Sequence, residues 1–310
     1  MDVQLVTVGH VLSETIVFAD GSREGPVLGG PSAYCGVVAA KLGTRTGIVT
    51  KVDTDKSANL LAPLKDAEVD LSGIECRGEV TTISELIYSA DGTKELKYLK
   101  QASPITFQDI PLDYHRAQLF HICPMDYEVP VEAVRQIRQL GKVLSVDLGG
   151  YGGAHVRRET NAEKRFAPAA LRDFIGCFDI VKASDEDAEL IFSNDSLSDE
   201  QRVQQFVDWG AQIGILTCGG RGSLVFTRRN KCRLSAFPGN VVDVTGGGDS
   251  FMGGFLTEYL RTRDPWSATL FATAVALCVI ERTGGVSASR MPTEQQARRR
   301  IPPEMKPEWL

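Results

Sequence analysis

The 310-residue chain has only four histidines, His10, His115, His121 and His155, and no His-x-x-x-His or His-Glu-x-x-His spacing. A histidine-built metal centre therefore has no support. The seven cysteines, at positions 35, 76, 123, 177, 218, 232 and 278, are odd in number and widely spaced, with no Cys-x-x-Cys. That excludes a zinc ribbon and argues against a disulfide framework. No apolar stretch reaches the roughly 18–20 residues a bilayer span needs. The longest, Ala268 to Ile280, is short and broken by threonine, so it reads as a buried helix. Met1-Asp2-Val3-Gln4 has no basic leader pattern, which predicts a cytoplasmic protein with reduced thiols and no membrane partner. A net charge of −6 argues against a generic nucleic-acid binder. The run Arg298-Arg299-Arg300 is offset by Glu294 and Glu304 and reads as a solvated helix face. Two phosphate-binding patterns are also missing. There is no Gly-x-x-x-x-Gly-Lys-[Ser/Thr], and no Gly-x-Gly-x-x-Gly follows the first strand.

What is present suits a large α/β protein. Hydrophobic residues make up 43% of the chain and charged ones 24%, enough for a sizeable core. Leu5 to Val8 reads as a buried strand ending at Gly9. Leu12 to Leu28 is polar and extended, with a turn at Asp20-Gly21. Ala33 to Leu42 reads as a helix, with Ser32 as its cap and Gly43 beyond its end. A strand follows over Arg45 to Val49, then a helix over Lys56 to Lys65 that Pro63 would end early. Thr81 to Ser89 and Lys94 to Leu99 flank Asp91-Gly92, a hairpin signal. From residue 119 the alternation is regular. Strands are expected at Leu119–Cys123, Val143–Val146, Phe178–Val181 and Ile213–Leu216, with amphipathic helices between them. Ser223–Phe226 and Arg233–Phe237 read as an antiparallel edge hairpin, and the tail from Pro302 to Leu310 as peripheral. Short apolar strands separated by helices imply a mostly parallel sheet covered on both faces.

The chemistry concentrates in Asp243-Val244-Thr245-Gly246-Gly247-Gly248-Asp249-Ser250-Phe251, which runs into a helical pattern at Met252, Phe255, Leu256 and Tyr259. Glycines at a helix N-terminus bring backbone N–H groups close to an anion, and the helix dipole favours negative charge there without a lysine. Asp249, just inside the helix, would be stabilised as a carboxylate by that dipole and suits a general base on an alcohol. Taken alone, Gly-Gly-Gly-Asp is equally a turn with a capping Asp. Two further glycine groups change the balance: Gly29-Gly30 before the first helix, and Thr217 to Gly222 after a predicted strand. Ligands in open α/β sheets bind beyond the carboxyl ends of strands.

These three segments, in this order and spacing, resemble the PfkB or ribokinase-like family of carbohydrate kinases, and the resemblance spans nearly the whole chain. The stretch 243–251 looks like that family's C-terminal signature, with Gly247 where Ala is common. Gly29-Gly30-Pro31-Ser32-Ala33 through Leu42-Gly43 looks like its N-terminal signature. The resemblance implies one ribokinase-like domain over residues 1–310. It would be a three-layer α/β/α sandwich with a mostly parallel central sheet and a small β-sheet lid from segments 12–28 and 81–99. It implies phosphorylation of a sugar or related alcohol by ATP with Mg²⁺, and a monovalent cation beside them. Asp249 would be the base and Gly246, Gly247 and Gly248 the anion hole. Thr217, Gly219, Gly222 and Thr245 would lie along the nucleotide. Glu14, Gly29, Gly30 and Tyr34 would meet the acceptor, and Asp187 the metal.

Departures from the family pattern bear on the acceptor. Glu14 stands where Asp is frequent, Tyr34 where the family has Asn, and Ser184 and Asp187 where Asn and Glu are common. Asp147 and the glycines at 149, 150, 152 and 153 read as a plain turn or as a loop bordering phosphate, with Arg157 or Arg158 meeting it. Cys218, Trp209 and Trp266 read as packing residues. Ser13, Glu14, Ser84 and Glu85 in the lid favour a polyhydroxylated acceptor, whereas Phe18 and Tyr88 would suit a nucleoside. A fold retained for binding or regulation without turnover is the remaining alternative. Exposed lid edges suggest a homodimer through the lid.

Overall fold

The structure is a computed structural model and describes residues 2–54, 57–89, 94–157, 161–192 and 196–310. The Asp91-Gly92 turn, Lys56 and Arg158 lie outside the described residues.

The first third of the chain runs β1 (Leu5–Val8), β2 (Leu12–Val17), β3 (Arg23–Gly29), α1 (Pro31–Lys41), β4 (Thr46–Lys51), α2 (Ser57–Leu60), α3 (Ala62–Asp66), β5 (Asp70–Glu75), β6 (Thr82–Tyr88) and β7 (Lys94–Lys100). The middle holds β8 (Leu119–Ile122), α4 (Val131–Arg138), β9 (Val143–Asp147), α5 (Pro168–Ile175), β10 (Ile180–Ser184), α6 (Asp185–Phe192), α7 (Asp199–Asp208) and β11 (Ile213–Thr217). The last third holds β12 (Ser223–Thr227), β13 (Lys231–Leu234), α8 (Gly247–Thr262), α9 (Pro265–Ile280), α10 (Glu294–Arg298) and β14 (Glu308–Trp309).

Ten strands form the main sheet in the order β14-β13-β12-β11-β10-β9-β8-β1-β4-β5. Strands β11, β10, β9, β8, β1, β4 and β5 run parallel, and β12, β13 and β14 extend one edge antiparallel. Alternate residues of each strand enter opposite cores. Val6 and Phe120 pack with α4, α5 and α7, while Leu5 and Leu119 pack with α8 and α9. Period-two side-chain alternation makes this three-layer arrangement. A second sheet, in the order β3-β2-β6-β7, is the lid, and β3 and β7 are its edges.

Three local readings need correction and a fourth is refined. Ser32 does not cap α1. Gly30 is the N-cap, with φ of 97°, and the Ser32 hydroxyl donates to Gly9 O and His10 O at 3.0 and 3.2 Å, tying α1 to the end of β1. Pro63 starts α3 rather than ending a longer helix, because its missing N–H costs nothing in a first turn. The C-terminal tail does lie at the exposed outer edge of the sheet, but it is ordered there as a strand, with β14 paired to β13 and Trp309 meeting Trp266 edge-on. The basic run 298–300 is only partly solvated. Arg298 pairs with Glu258 and Glu294 over the Phe271 ring, and Arg300 pairs with Glu281. All seven cysteines are free, and no helix among the described residues is long and apolar enough to cross a membrane.

Helix α8 carries Asp249, and two glycines set its depth. A Cβ on Gly253 would come within 2.8 Å of Val38 Cγ1 and 2.9 Å of Cys35 O on α1. One on Gly254 would meet Val275 of α9 at 3.0 Å. Gly253→Val is therefore expected to destabilise the protein by about 1–3 kcal/mol through overpacking against backbone. Gly220→Ala, where a Cβ meets nothing within 4 Å, should stay within about 0.5 kcal/mol of the parent. Urea denaturation of the two variants checks the contrast.

Candidate active site

The loop before α8 is built from its own sequence. Asp243 Oδ1 accepts from the Thr245 N–H at 2.9 Å, which turns the chain. Gly246 then takes φ of 74° as the left-handed N-cap, a conformation that favours glycine. A Cβ there would also lie 2.3 Å from the Tyr34 ring. The Gly247 N–H donates to Val244 O at 3.1 Å and the Ser250 N–H to Gly246 O at 2.8 Å. The amides of Gly248 and Asp249 are thus the first-turn donors left to face outward. Of the three glycines read as an anion hole, Gly246 shapes the turn, Gly247 closes it and Gly248 presents its N–H.

Asp249 is the third residue of α8 and keeps a partial opening to the cleft. The helix dipole does not keep its carboxyl ionised at low pH. Burial first, then Asp147 and Asp187, push the group up to about 7 against the pull of Lys182. Lys182, in the middle of β10, is the missing part of the sequence reading. Its Nζ lies 2.8 Å from Asp147 Oδ2, and both side chains are nearly buried. The same Nζ is 3.1 Å from where a Gly248 Cβ would be. Burial works to lower its pKa, but Asp147, Asp187 and Asp249 outweigh that and hold it above the ordinary lysine value. One fixed ammonium therefore faces three carboxylates and the glycine turn.

Asp187 is held on the opposite side. Its N–H donates to Ser184 Oγ at 2.9 Å, and its Oδ1 accepts from the Ala154 N–H at 3.0 Å. A Cβ on Gly153 would lie 2.2 Å from that oxygen, and one on Gly149 would lie 3.0 Å from Oδ2. The glycines after Asp147 are thus more than a connector: they wrap a carboxylate. Arg157 does not head that loop toward phosphate. Its Nε donates to Asp126 Oδ2 at 2.6 Å, it also bonds Gln101, and it lies 5.2 Å from the Tyr98 ring.

Glu14 is buried on β2, and Ser84 of β6 donates to its Oε2 at 3.5 Å. Gly29 approaches that side chain, where a Cβ would sit 3.4 Å away. Gly30 presses on His10 O. The Tyr34 hydroxyl accepts from Arg290 at 3.1 Å. Tyr98 Oη is buried with no hydrogen-bond partner among the described residues, and Glu14 and Asp126 help to raise its pKa after burial. Lid and base meet at Tyr88, whose hydroxyl reaches Asp243 Oδ1 at 3.3 Å and Thr245 Oγ1 at 3.1 Å. Across the cleft, Thr217 ends β11, and the turn at Gly219 and Gly220 has open space around it. Gly222 packs onto Leu234 O at the start of β12. His121 is buried against Ser145 and pushed down to about 3 by burial and then Lys182, so it is neutral packing.

Lys182, Tyr98 and Arg290 escaped the sequence reading. Only Lys182 had a signal, a cation closing an apolar run, near the strand end where open sheets bind ligands.

A family model described as pfkB family carbohydrate kinase matches residues 2–293. The cytidine kinase of Thermococcus kodakarensis is 31% identical, over 84% of this chain and 89% of that protein. Fructokinase-2 of Solanum habrochaites is 26% identical, over 74% of this chain and 72% of its own. The solved structure of a putative ribokinase II from E. coli, in complex with ATP and Mg²⁺, shares the fold. The match has a TM-score of 0.79 at 21% identity and covers 96% of this chain and 99% of that one.

The elevated Asp249 carboxyl has a measurable sign in the unliganded protein. The folded state keeps the proton up to about 7, while the unfolded chain releases it near about 4. The folded state binds more protons in that window, so this group's stabilisation is complete below about 4 and is lost as pH rises to about 7. Asp249→Asn should remove a slope on the order of 1 kcal/mol per pH unit there. Urea midpoints of both proteins across the window test it.

Proposed function

The chain belongs to the pfkB family of carbohydrate kinases, and from that premise we propose that it transfers the γ-phosphoryl group of ATP to a hydroxyl of a sugar ring, with Asp249 as general base. It is a phosphotransferase acting on a sugar or nucleoside hydroxyl. The observation that carries the finer reading is geometric: Asp249 sits in the first turn of α8 next to the outward amide of Gly248, where a Cβ would lie 3.1 Å from Lys182 Nζ, and burial pushes the Asp249 carboxyl up to about 7. A base near neutral pH accepts the proton of an alcohol efficiently.

The residues fit the nucleotide and the metal. The glycine turn at 219–220 is open to a ligand. Among the described residues no three His, Cys, Asp or Glu side chains converge as a metal cage. Mg²⁺ is usually held by one or two carboxylates together with substrate phosphates, and Asp187, with Asp147, would be the residues to hold it here. When bound, the ion would neutralise phosphate charge. Around it, the chain's own groups position and stabilise. The acceptor hydroxyl gives its proton to Asp249, its oxygen takes the phosphoryl group, and ADP leaves. Charge on the transferring group meets the Gly248 and Asp249 amides and the Lys182 ammonium.

The buried Tyr98 hydroxyl has no hydrogen-bond partner among the described residues, and Tyr98 pairs across the lid with Ser84, which donates to Glu14; this supports recognition of a ring hydroxyl. A nucleoside is the second reading. It is favoured by the stacked Phe18–Tyr88 pair, with ring centroids 6.1 Å apart in the lid, and by the cytidine kinase relative.

ADP release over a panel of sugars, polyols, sugar acids and nucleosides tests the reaction and its acceptor. Asp249→Asn should lower turnover by roughly 10²- to 10⁴-fold with the fold intact, and an unchanged rate would remove it as the base. Tyr98→Phe should raise the acceptor KM about 3- to 10-fold, the worth of one hydrogen bond, with turnover little changed. An unchanged acceptor KM would take Tyr98 out of the acceptor site.

A further inference from the structure

Arg290 is 3% exposed and lies in the loop after α9, far in sequence from the turn at 243–246. Its Nε donates to Val279 O and Arg282 O at 3.3 and 3.1 Å. Its Nη1 donates to Gly284 O and to the Tyr34 hydroxyl. Its Nη2 donates to Thr245 O at 3.0 Å and reaches Asp243 O and Oδ2 at 3.5 Å each. A guanidinium has five N–H groups and no acceptor, and each of its three nitrogens is engaged here. Its ligands are backbone carbonyls, one carboxylate and the Tyr34 hydroxyl, drawn from three separate segments.

Such a ring of carbonyl oxygens is the donor set that proteins use to replace the hydration shell of a monovalent cation. Here the centre is already filled by a positive charge bonded to the chain. A free K⁺ or Na⁺ would need the same oxygens and would be repelled by the guanidinium. The donor set therefore does not fit the monovalent cation that the sequence resemblance implied.

We infer that Arg290 is a built-in cation that fixes the loop 243–246, and with it the first-turn amides of α8, so that catalysis needs no monovalent ion. Arg290 acts through the loop and through Tyr34, whose ring backs Gly246, and it is a positioning residue. The inference rests on that loop being the phosphoryl site.

The test compares KCl, NaCl and choline chloride at equal ionic strength, reading turnover and the thermal unfolding midpoint of the ligand-free protein. The parent should keep its turnover within about twofold in all three salts, with the same midpoint. Arg290→Ala should lose at least about tenfold in choline chloride. It should regain part of that with K⁺ or millimolar guanidinium, and its midpoint should rise with the same ions. Should Arg290→Ala fail to fold, Arg290→Lys, which keeps the charge with fewer donors, carries the comparison. A parent enzyme activated severalfold by K⁺, or stabilised by K⁺ over choline, overturns the inference. So does a variant with parental turnover in choline, or a loss that neither ion relieves. A parent inactive with every acceptor would instead count against the proposed reaction, and the midpoints would still decide the role of Arg290.

Discussion

Three carboxylates converge on the carboxyl end of the central sheet, and a single buried ammonium makes that convergence tolerable. Without Lys182, Asp147, Asp187 and Asp249 would repel one another in a poorly solvated cleft, and unpaired buried charge is costly. With it, Asp147 is paired at 2.8 Å, while burial first, and then Asp147 and Asp187, push the Asp249 carboxyl up to about 7 against the pull of Lys182. The ammonium that makes the cluster stable thus also limits how far burial raises the proton affinity of Asp249, the base in the proposed reaction. Net charge plays no part, since the whole chain is acidic. In the proposed reaction, attraction for an anionic ligand would come from this lysine and from the end of α8.

Geometry fixes the cluster as firmly as charge does. Lys182 in the middle of β10 and Asp147 at the end of β9 are register partners on adjacent parallel strands. Asp249 comes from the other layer. It reaches them because Gly253 and Gly254 let α8 sink between α1 and α9, and because the turn before it is held from outside by Arg290. The lid adds a third hold through Tyr88, which touches Asp243 and Thr245. Movement of the lid and order in the turn are therefore linked by direct contact.

The alternation of apolar strands and helices made the three layers legible in the sequence, and the two polar excursions made the lid legible. Local chemistry was equally readable where a few adjacent residues carry it, as in the run from Asp243 to Asp249. Interactions between distant segments were not. Arg290 looks like any basic residue in a loop, and only the fold brings five carbonyls to it. Ser32 was misread for a related reason, as its hydroxyl bonds carbonyls at the end of β1 rather than its own helix. The dipole argument for Asp249 failed on magnitude: a helix end contributes about 0.3–1 kcal/mol, whereas burial and two neighbouring carboxylates act together on the same group.

The acceptor side follows a different rule from the phosphate side. Several of its polar groups are already committed to the protein. Glu128 accepts from the backbone N–H groups of His10, Met125 and Asp126. Asp126 is occupied by Arg157 and Asn161. These pairs build a rigid wall and leave little capacity for a ligand. The Tyr98 ring lies under Arg157, and its hydroxyl has no hydrogen-bond partner among the described residues, so in the proposed site its satisfaction would depend on what enters. A buried hydroxyl left unpaired costs about 1–3 kcal/mol. An acceptor that supplies a hydroxyl at that point recovers this energy, and one that supplies a methylene does not. On the proposed reading, selectivity for oxygenated rings would come from the Tyr98 hydroxyl in an otherwise self-satisfied wall.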